Sequence, residues 1–210
     1  MRSSLAIGVL ALQGDFVEHS AVLRGLGVDA REVRLPSQLD GLDGLIIPGG
    51  ESTAIARLMR EWDLVEPIRA RAQEGMAIWG TCAGAILLAE RAGDLDREGL
   101  RLMDVTVRRN AFGRQVESFE AALDVPVLGP PPFRAVFIRA PVIEDAGARA
   151  EVLASLAGGS IVAAQQGALL ATSFHPELTN DTRFHEFFLT LASTGRGTTT
   201  HERSYRPVAT

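Results

Sequence analysis

The fold is decided by residues 76–89, which read MAIWGTCAGAILLA. The apolar run at 76–79 predicts a strand and the run at 85–89 predicts a helix, with Gly80-Thr81-Cys82-Ala83-Gly84 as the sharp turn between them. A G-x-C-x-G sequence at a strand-to-helix turn is the cysteine form of a nucleophile elbow. Residues beside the nucleophile must be small there, which explains the glycines. The sulfur stands at a helix N-terminus, whose partial positive charge favours the thiolate.

Alternating strand and helix patterns extend outward from this turn through the first half of the chain. Strands are predicted at 5–12, 28–34, 45–47 and 76–79, and helices at 16–25, 52–74 and 85–89. Continuous apolar strands that alternate with helices are typical of a parallel sheet covered on both faces. We therefore expect an α/β fold, a single three-layer domain with a mostly parallel central sheet.

Short strands predominate in the second half of the chain. They are predicted at 101–108, 116–125, 133–139, 151–156, 160–165 and 168–174, followed by a last helix near 181–192. Turn signals between them favour antiparallel additions to the edge of the sheet. Residues 194–210 lack apolar periodicity. We therefore predict one domain over 1–193 and a mobile C-terminal tail at 194–210.

The composition indicates a globular protein and argues against several functions. The chain has 210 residues, of which 46% are hydrophobic and 22% charged, as in a globular protein of one domain. A net charge of −5 without a large basic block argues against nucleic acid as the main partner. The single cysteine cannot form an internal disulfide, and the absence of lysine excludes a catalytic lysine.

Neither a leader, a membrane span nor a metal site is predicted. The apolar N-terminal run is followed by Gln13-Gly14-Asp15-Phe16 instead of a small-residue cleavage site, so we interpret it as a buried first strand. The longest uncharged stretch near the turn is too short to cross a bilayer. We expect a cytoplasmic protein with no membrane partner. Metal-ligand clusters, Walker loops and dinucleotide fingerprints are absent from the sequence, so no metal and no cofactor are expected.

A histidine with a carboxylate neighbour follows the strand predicted at 168–174. In extended chain, residues i and i+2 point to the same side, so Glu177 can reach the ring nitrogen of His175 that faces away from the sulfur. It would fix the tautomer and stabilise the imidazolium, as the acid does in a Ser-His-Asp triad. A strand-end histidine beside a surface glutamate is common, so this motif gains its weight from the elbow at Cys82.

The other histidines lack this pattern. His185 falls in the last helix and His201 in the tail, and both are interpreted as structural or exposed. His19 follows Glu18, but adjacent side chains on a helix do not face each other.

A second turn between strand and helix is formed by Pro48-Gly49-Gly50-Glu51-Ser52-Thr53. The simplest interpretation is a turn with Ser52 or Thr53 as helix N-cap. In the functional interpretation the bare backbone at Gly50 offers an amide N–H that, with the amide of Ala83, forms an oxyanion hole. Parallel sheets place ligand sites at the carboxyl ends of strands, so both turns are expected to share one crevice.

Arginines follow two of the later strands. Arg109 belongs to the polar stretch 108–115, and Arg139 ends the strand predicted at 133–139. A solvated loop explains the first stretch, while a guanidinium that pairs with a substrate carboxylate is the functional alternative.

With these residues in place, the order Cys82, His175, Glu177 resembles that of the triad glutamine amidotransferases. Within that class the chain looks closely like the glutaminase subunits of pyridoxal 5′-phosphate synthase, over most of residues 5–190. The matching motifs are residues 7–16, Pro48-Gly49-Gly50-Glu51-Ser52-Thr53, Trp79-Gly80-Thr81-Cys82-Ala83-Gly84, 109–115, Ser118-Phe119-Glu120, Phe137-Ile138-Arg139-Ala140-Pro141 and His175-Pro176-Glu177-Leu178-Thr179.

The resemblance implies specific roles. Cys82 would be the nucleophile, His175 the base and Glu177 its orienter. Contacts to L-glutamine would come from Gly50, Glu51, Ser52, Arg109, Ile138 and Arg139. The implied reaction is hydrolysis of L-glutamine to L-glutamate and ammonia through a γ-glutamyl thioester.

The resemblance also implies a partner. Ammonia would pass to a separate synthase subunit, which builds pyridoxal phosphate from a pentose phosphate and a triose phosphate. Glutaminases of this family are poorly active until that partner docks. An oxyanion-hole peptide that is set correctly only in the complex would explain this, and Gly49-Gly50 is flexible enough to allow it.

Two other functions stay open at this point. One is a cysteine hydrolase of the intracellular protease or chaperone type on the same elbow, against which the Arg109 stretch and the His175–Glu177 pair argue. The other is a binding subunit without activity, against which the complete set of triad residues argues.

Overall fold

The structure is a computed structural model that describes residues 5–95, 99–109 and 118–198. Its strands are β1 (Ala6–Leu10), β2 (Asp29–Val33), β3 (Gly44–Ile47), β4 (Ala77–Thr81), β5 (Ala89–Arg91), β6 (Met103–Arg108), β7 (Ser118–Leu123), β8 (Phe133–Ile138), β9 (Val142–Ala146), β10 (Glu151–Ser155), β11 (Ile161–Gln166) and β12 (Leu169–Thr172). Its α-helices are α1 (Phe16–Gly25), α2 (Ser52–Glu61), α3 (Val65–Gln73), α4 (Ala83–Leu88) and α5 (Arg183–Thr198).

Within the described residues, ten strands form one sheet in the order β2-β1-β3-β4-β12-β11-β9-β6-β5, with β10 paired to β11. The strands β2, β1, β3, β4 and β12 run parallel to one another, and the strands β11 and β9 run antiparallel to their neighbours. The carboxyl ends of β1, β3, β4 and β12 therefore lie along the same edge. The candidate site residues of four separate loops emerge at that edge.

Helices cover both faces of the sheet, and β4 shows why. Successive side chains of a strand point to opposite faces. Ile78 belongs to the core cluster under α2, α3 and α4. Trp79 belongs to the cluster under α1 and α5, where its ring lies tilted against that of Phe188 with 5.6 Å between the centroids. All three side chains are fully buried. The predicted α/β fold with a mostly parallel, doubly covered sheet is confirmed.

The helical region predicted at 52–74 is divided into two helices. Between α2 and α3, Asp63 has φ 54°, a left-handed conformation that ends α2, and aspartate tolerates it better than most residues. Pro67 then lies in the first turn of α3, where its missing N–H leaves no bond unmade. Inside one continuous helix the same proline would remove a hydrogen bond.

The second half differs from the sequence prediction in three ways. Strand β9 was not among the predicted strands. The antiparallel additions are present as β9, β10 and β11, but β12 inserts beside β4 in the parallel part of the sheet, well away from its edge. The strands β7 and β8 pair only with each other, as a separate antiparallel ribbon among the described residues. Residues 116–117 of the strand predicted at 116–125 lie outside the described residues.

The C-terminal boundary also differs. Helix α5 continues to Thr198, whereas the sequence analysis ended it near 192 and began a tail at 194. Residues 199–210 lie outside the described residues, so a mobile tail there stays a prediction. In the described part of the chain, every helix is too short or too polar to cross a membrane.

Candidate active site

Cys82 lies at the turn between β4 and α4, as predicted. Its backbone has φ 47° and ψ −103°, a strained conformation of the kind found at functional turns. Its amide donates to the Thr172 carbonyl of β12 at 2.8 Å. A Cβ at Gly84 would lie 2.0 Å from the Ile47 carbonyl oxygen, and one at Gly80 would lie 2.4 Å from the Gly84 backbone. The steric role predicted for the two glycines is confirmed.

A substitution of Gly84 tests this packing. We expect Gly84→Ala to lower the free energy of unfolding by about 3 kcal/mol, because the clashing atom belongs to the backbone of β3 and cannot rotate away. Gly158→Ala is the matched control, since its Cβ would meet nothing within 4 Å. Urea unfolding should place the control within about 0.5 kcal/mol of wild type. Equal unfolding free energies for the two variants would contradict the steric role.

His175 and Glu177 are both buried, with 4% and 6% of their surfaces exposed. His175 Nδ1 lies 2.8 Å from Glu177 Oε1, and the His175 amide donates to the Val136 carbonyl of β8 at 2.8 Å. The structure therefore brings the two side chains together as the motif indicates. The route differs from the extended chain we expected, because residues 176–178 form a 3-10 turn, whose first position suits the locked φ of proline.

Three neighbours control the charge of His175. Burial alone would lower the pKa of its ring, but Asp15, Cys82 and Glu177 together raise it to about 12. Its Nδ1 faces the carboxylates of Asp15 and Glu177 at 3.3 and 2.8 Å. Its Nε2 is buried and has no hydrogen-bond partner among the described residues, so this nitrogen is the one left for the thiol. The arrangement can hold a protonated imidazole next to the sulfur.

This raised pKa predicts how the ring titrates. The NMR signals of His175 should not titrate between about pH 6 and pH 9, where an ordinary histidine loses its proton. The folded state binds this proton more tightly than the unfolded state, so protonation of His175 stabilises the fold. This stabilisation is complete below pH 6.5 and declines as the pH rises toward 12. Cys82→Ala should move the midpoint down, since Cys82 is one of the raising causes. A wild-type midpoint near 6.5 would contradict the charge we assign.

Asp15 is a residue of the site that the sequence analysis missed. Its amide donates to the Gly49 carbonyl at 3.1 Å, and its carboxylate contacts His175. Asp15, His175 and Glu177 place possible ligand atoms within 4.8 Å of one another. We interpret the group as hydrogen-bonded and not as a metal centre, because both carboxylates converge on one ring nitrogen. The signals were its position after the first strand and its place in the matching motif at residues 7–16.

Two more histidines lie behind Glu177, and both are fully buried. His19 Nε2 is 3.3 Å from Glu177 Oε2 and 3.2 Å from Thr81 Oγ1, while His19 Nδ1 is 3.0 Å from His185 Nε2. The carboxylate contact of His19 was not predicted, because its partner comes from the far end of the chain. His185 is buried and not exposed. His201 lies outside the described residues.

The Gly49-Gly50 turn packs directly on the His175 ring. A Cβ on Gly49 would lie 2.4 Å from His175 Cε1, so glycine is required by this close approach. Gly50 has φ 152°, which also favours glycine. Since the Gly49 carbonyl accepts from the Asp15 amide, the N–H of the same peptide points the opposite way.

Two amide groups are available for an oxyanion. Among the hydrogen bonds of the described residues, neither the Gly50 N–H nor the Ala83 N–H has a partner. Ala83 is the first residue of α4, where amides have no partner within the helix. Both residues line the same cavity as Cys82. The predicted oxyanion hole stays a prediction, and these free amides are compatible with it.

Glu51, and not Ser52 or Thr53, caps α2. Its carboxylate accepts from the amides of Thr53 and Ala54 at 3.2 and 2.7 Å. The hydrogen bond from the Thr53 hydroxyl is the largest influence that lowers the pKa of Glu51. Arg109 Nη2 lies 3.6 Å from Glu51 Oε1, so a cation and an anion meet at the rim of the cavity.

The cavity has a volume of about 500 Å³ and joins residues that are far apart in sequence. The predicted residues that line it are Gly50, Glu51, Ser52, Cys82, Ala83, Arg109, Ile138, Arg139 and His175. The lining residues that sequence reasoning did not identify are Gln13, Gly14, Asp15, Ile86, Pro141 and Leu178. Glu177 lies behind His175, outside the lining. Residues 110–115 of the Arg109 stretch lie outside the described residues.

The chain is similar to proteins of one family. The model of the SNO glutamine amidotransferase family matches residues 9–193. A pyridoxal 5′-phosphate synthase subunit PdxT of Herpetosiphon aurantiacus is 63% identical over 190 residues, which cover 89% of this chain and 100% of the relative. The subunit of the same name from Roseiflexus sp. is 57% identical over 189 residues, which cover 89% of this chain and 100% of the relative.

The chain is also similar to proteins of known structure. A crystal structure described as a glutamine amidotransferase is 52% identical, with a TM-score of 0.85 over 90% of this chain and 99% of its own. The structure of PurLQS from Thermotoga maritima is 17% identical, with a TM-score of 0.68 over 89% of this chain and 98% of the matched chain. The second likeness concerns the fold alone.

Proposed function

The chain belongs to the SNO glutamine amidotransferase family, and we propose that it is the glutaminase subunit of a pyridoxal 5′-phosphate synthase. The observation that carries this proposal is the meeting of Cys82, His175 and Glu177 beside one cavity, in a chain that covers its relatives over their whole length. It hydrolyses L-glutamine to L-glutamate and ammonia.

Glutamine fits the charges of the cavity. The guanidinium groups of Arg109 and Arg139 offer partners for the α-carboxylate, and Glu51 holds Arg109 at the rim. With its α-carbon anchored there, the side-chain amide extends toward Cys82 at the floor. Ile138 lines the same cavity, and its carbonyl oxygen lies 3.9 Å from Cys82 Sγ.

The first half of the reaction forms the thioester. The Cys82 thiolate attacks the amide carbon of glutamine, and the negative charge that develops on the amide oxygen is stabilised by the N–H groups of Gly50 and Ala83. His175, which carries its proton because of its raised pKa, donates it to the leaving nitrogen. The C–N bond breaks, ammonia leaves, and a γ-glutamyl thioester remains on Cys82.

The second half restores the enzyme. His175, now neutral, takes a proton from a water molecule that attacks the thioester carbon. The C–S bond breaks, glutamate leaves, and Cys82 and His175 return to their starting state. Glu177 takes no proton in this sequence; it orients the ring through Nδ1 and stabilises the imidazolium.

Ammonia is the product used by a second protein. The relatives are named as subunits of pyridoxal 5′-phosphate synthase, so the chain works with a synthase partner. We propose that ammonia passes directly to that partner in a hetero-oligomeric complex. We also propose that docking activates the glutaminase by setting the Gly49-Gly50 peptide, which already contacts both Asp15 and His175.

The test is glutamate release from L-glutamine, measured with and without the cognate synthase subunit. We expect hydrolysis that increases strongly when the partner is added. Peptide and aldehyde substrates are assayed in parallel, because a cysteine hydrolase of the protease or chaperone type would act on them. Turnover of those substrates without any release of glutamate from glutamine, in either condition, would overturn the proposal.

A further inference from the structure

The proposed reaction uses only one of the two carboxylate oxygens of Glu177. Oε1 accepts from His175 Nδ1 at 2.8 Å, while Oε2 is buried, has no hydrogen-bond partner among the described residues and lies 3.3 Å from His19 Nε2. A buried carboxylate is costly unless hydrogen-bond donors surround its oxygens. Burial raises the pKa of Glu177, so its charged form needs every donor within reach. The ring of His19 is such a donor.

The surroundings of His19 favour one position for its ring proton. Burial, followed by repulsion from His185 and His175, lowers its pKa well below 6.5, and burial lowers that of His185 to about 4. Both rings are therefore neutral, and each carries one N–H. If that proton were on Nδ1 of His19, the lone pair of Nε2 would face the negative Oε2 of Glu177. With the proton on Nε2 the contact is attractive, and Nδ1 accepts instead.

The second ring completes the chain of donors. His19 Nδ1, as an acceptor, faces His185 Nε2 at 3.0 Å, so His185 must carry its proton on Nε2. Thr81 Oγ1, 3.2 Å from His19 Nε2, is a second acceptor within reach of the same N–H. His19 belongs to α1 and His185 to α5, two helices on the same face of the sheet.

We infer that His19 is a positioning residue for the proposed glutaminase reaction and that His185 sets its tautomer. His185 Nε2–H donates to His19 Nδ1, His19 Nε2–H donates to Glu177 Oε2, and Glu177 Oε1 accepts from His175 Nδ1–H. The two neutral rings hold Glu177 charged and aligned, and Glu177 in turn aligns His175. This inference rests on the proposed function for its role in catalysis.

Two substitutions of His19 separate the donor from the packing. His19→Phe keeps a ring and removes the N–H, whereas His19→Gln keeps an N–H at a similar distance along the side chain. We expect kcat for glutamine, measured with the synthase subunit, to fall on the order of 10- to 100-fold in His19→Phe, with KM within about twofold. His19→Gln should recover most of the loss.

The pH profile distinguishes positioning from stability. Without the donor from His19, the charged form of Glu177 is less favoured, so the acid limb of kcat/KM should move to higher pH in His19→Phe. Leu23→Ala is the matched control, because Leu23 is fully buried on the same helix and outside the site. Leu23→Ala should lower the free energy of unfolding and leave the acid limb of kcat/KM at the same pH. Equal losses in His19→Phe and His19→Gln with an unmoved limb would overturn the inference.

A measurement on the unmodified chain tests the tautomers of His19 and His185 even if the variants do not fold. Nitrogen-15 NMR of the histidine rings reports which nitrogen is protonated, and the chain has only 4 histidines to assign. We expect neutral rings with the proton on Nε2 for both His19 and His185. A proton on Nδ1 of His19 would overturn the inference, whether or not the protein hydrolyses glutamine. Conversely, absent glutamate release with the expected tautomers would contradict only the proposed function.

Discussion

Cys82→Ala is expected to abolish glutamate release, with a loss of about 10⁴-fold or more in kcat. The sulfur forms the bond that carries the glutamyl group, and no other cysteine exists in the chain to replace it. The same substitution leaves the backbone of the elbow as it is, because the turn depends on Gly80 and Gly84 and not on the thiol. The measurement is glutamate formed per active complex, with the synthase subunit present.

Two controls make this result interpretable. The variant should unfold within about 0.5 kcal/mol of wild type, and it should still bind the synthase subunit. Iodoacetamide offers a further check, since the wild-type chain has a single thiol to alkylate and the variant has none. Residual activity near the wild-type rate in a folded Cys82→Ala would remove Cys82 as the nucleophile.

Glu177→Gln is expected to lower kcat by about 10²- to 10⁴-fold, which is less than the loss in Cys82→Ala. An amide has the size of the carboxylate, but it is neutral and has a single oxygen. In the wild type, the N–H of His175 points at one carboxylate oxygen, and in the arrangement we infer the N–H of His19 points at the other. The amide NH₂ must therefore face one of them, and one histidine has to change its tautomer or turn away.

The His175 titration follows this substitution directly. Loss of the negative charge removes one of the causes that raise its pKa, so the NMR midpoint should move down from about 12. Glu177→Asp serves as a comparison, because it keeps the charge and shortens the reach. A loss in Glu177→Gln as large as that of Cys82→Ala, in a folded protein, would argue against an orienting role.

Local patterns were sufficient wherever a few neighbouring residues determine the geometry. The elbow is such a case at Gly80, which is required by the backbone of Gly84 and Ala85 in the same turn, whereas the need for Gly84 comes from Ile47 on β3. Helix α1 is another, and its predicted and observed bounds agree. The helical patterning over 52–74 did not predict the break in it, because apolar periodicity does not report the left-handed Asp63 that separates α2 from α3.

The N-cap of α2 shows a different limit of prediction from sequence. Ser52 and Thr53 have the short side chains preferred at N-caps, yet Glu51 fills that position. Propensity ranks residues over many proteins, whereas here the carboxylate of Glu51 accepts from the amides of Thr53 and Ala54 and from the Thr53 hydroxyl. The ranking does not report which particular side chain makes such bonds.

The sequence by itself determined the α/β class, the elbow at Cys82 and, through the motif, the pairing of His175 with Glu177. Only the tertiary structure decided that β12 inserts beside β4, and with it which loops meet. Asp15, His19 and His185 joined the site for that reason, since their contacts link α1, α5 and the end of β12. Such contacts depend on the order of strands in the sheet. The pattern of a short sequence segment indicates which face of a strand is buried, but it does not indicate which strand lies beside it.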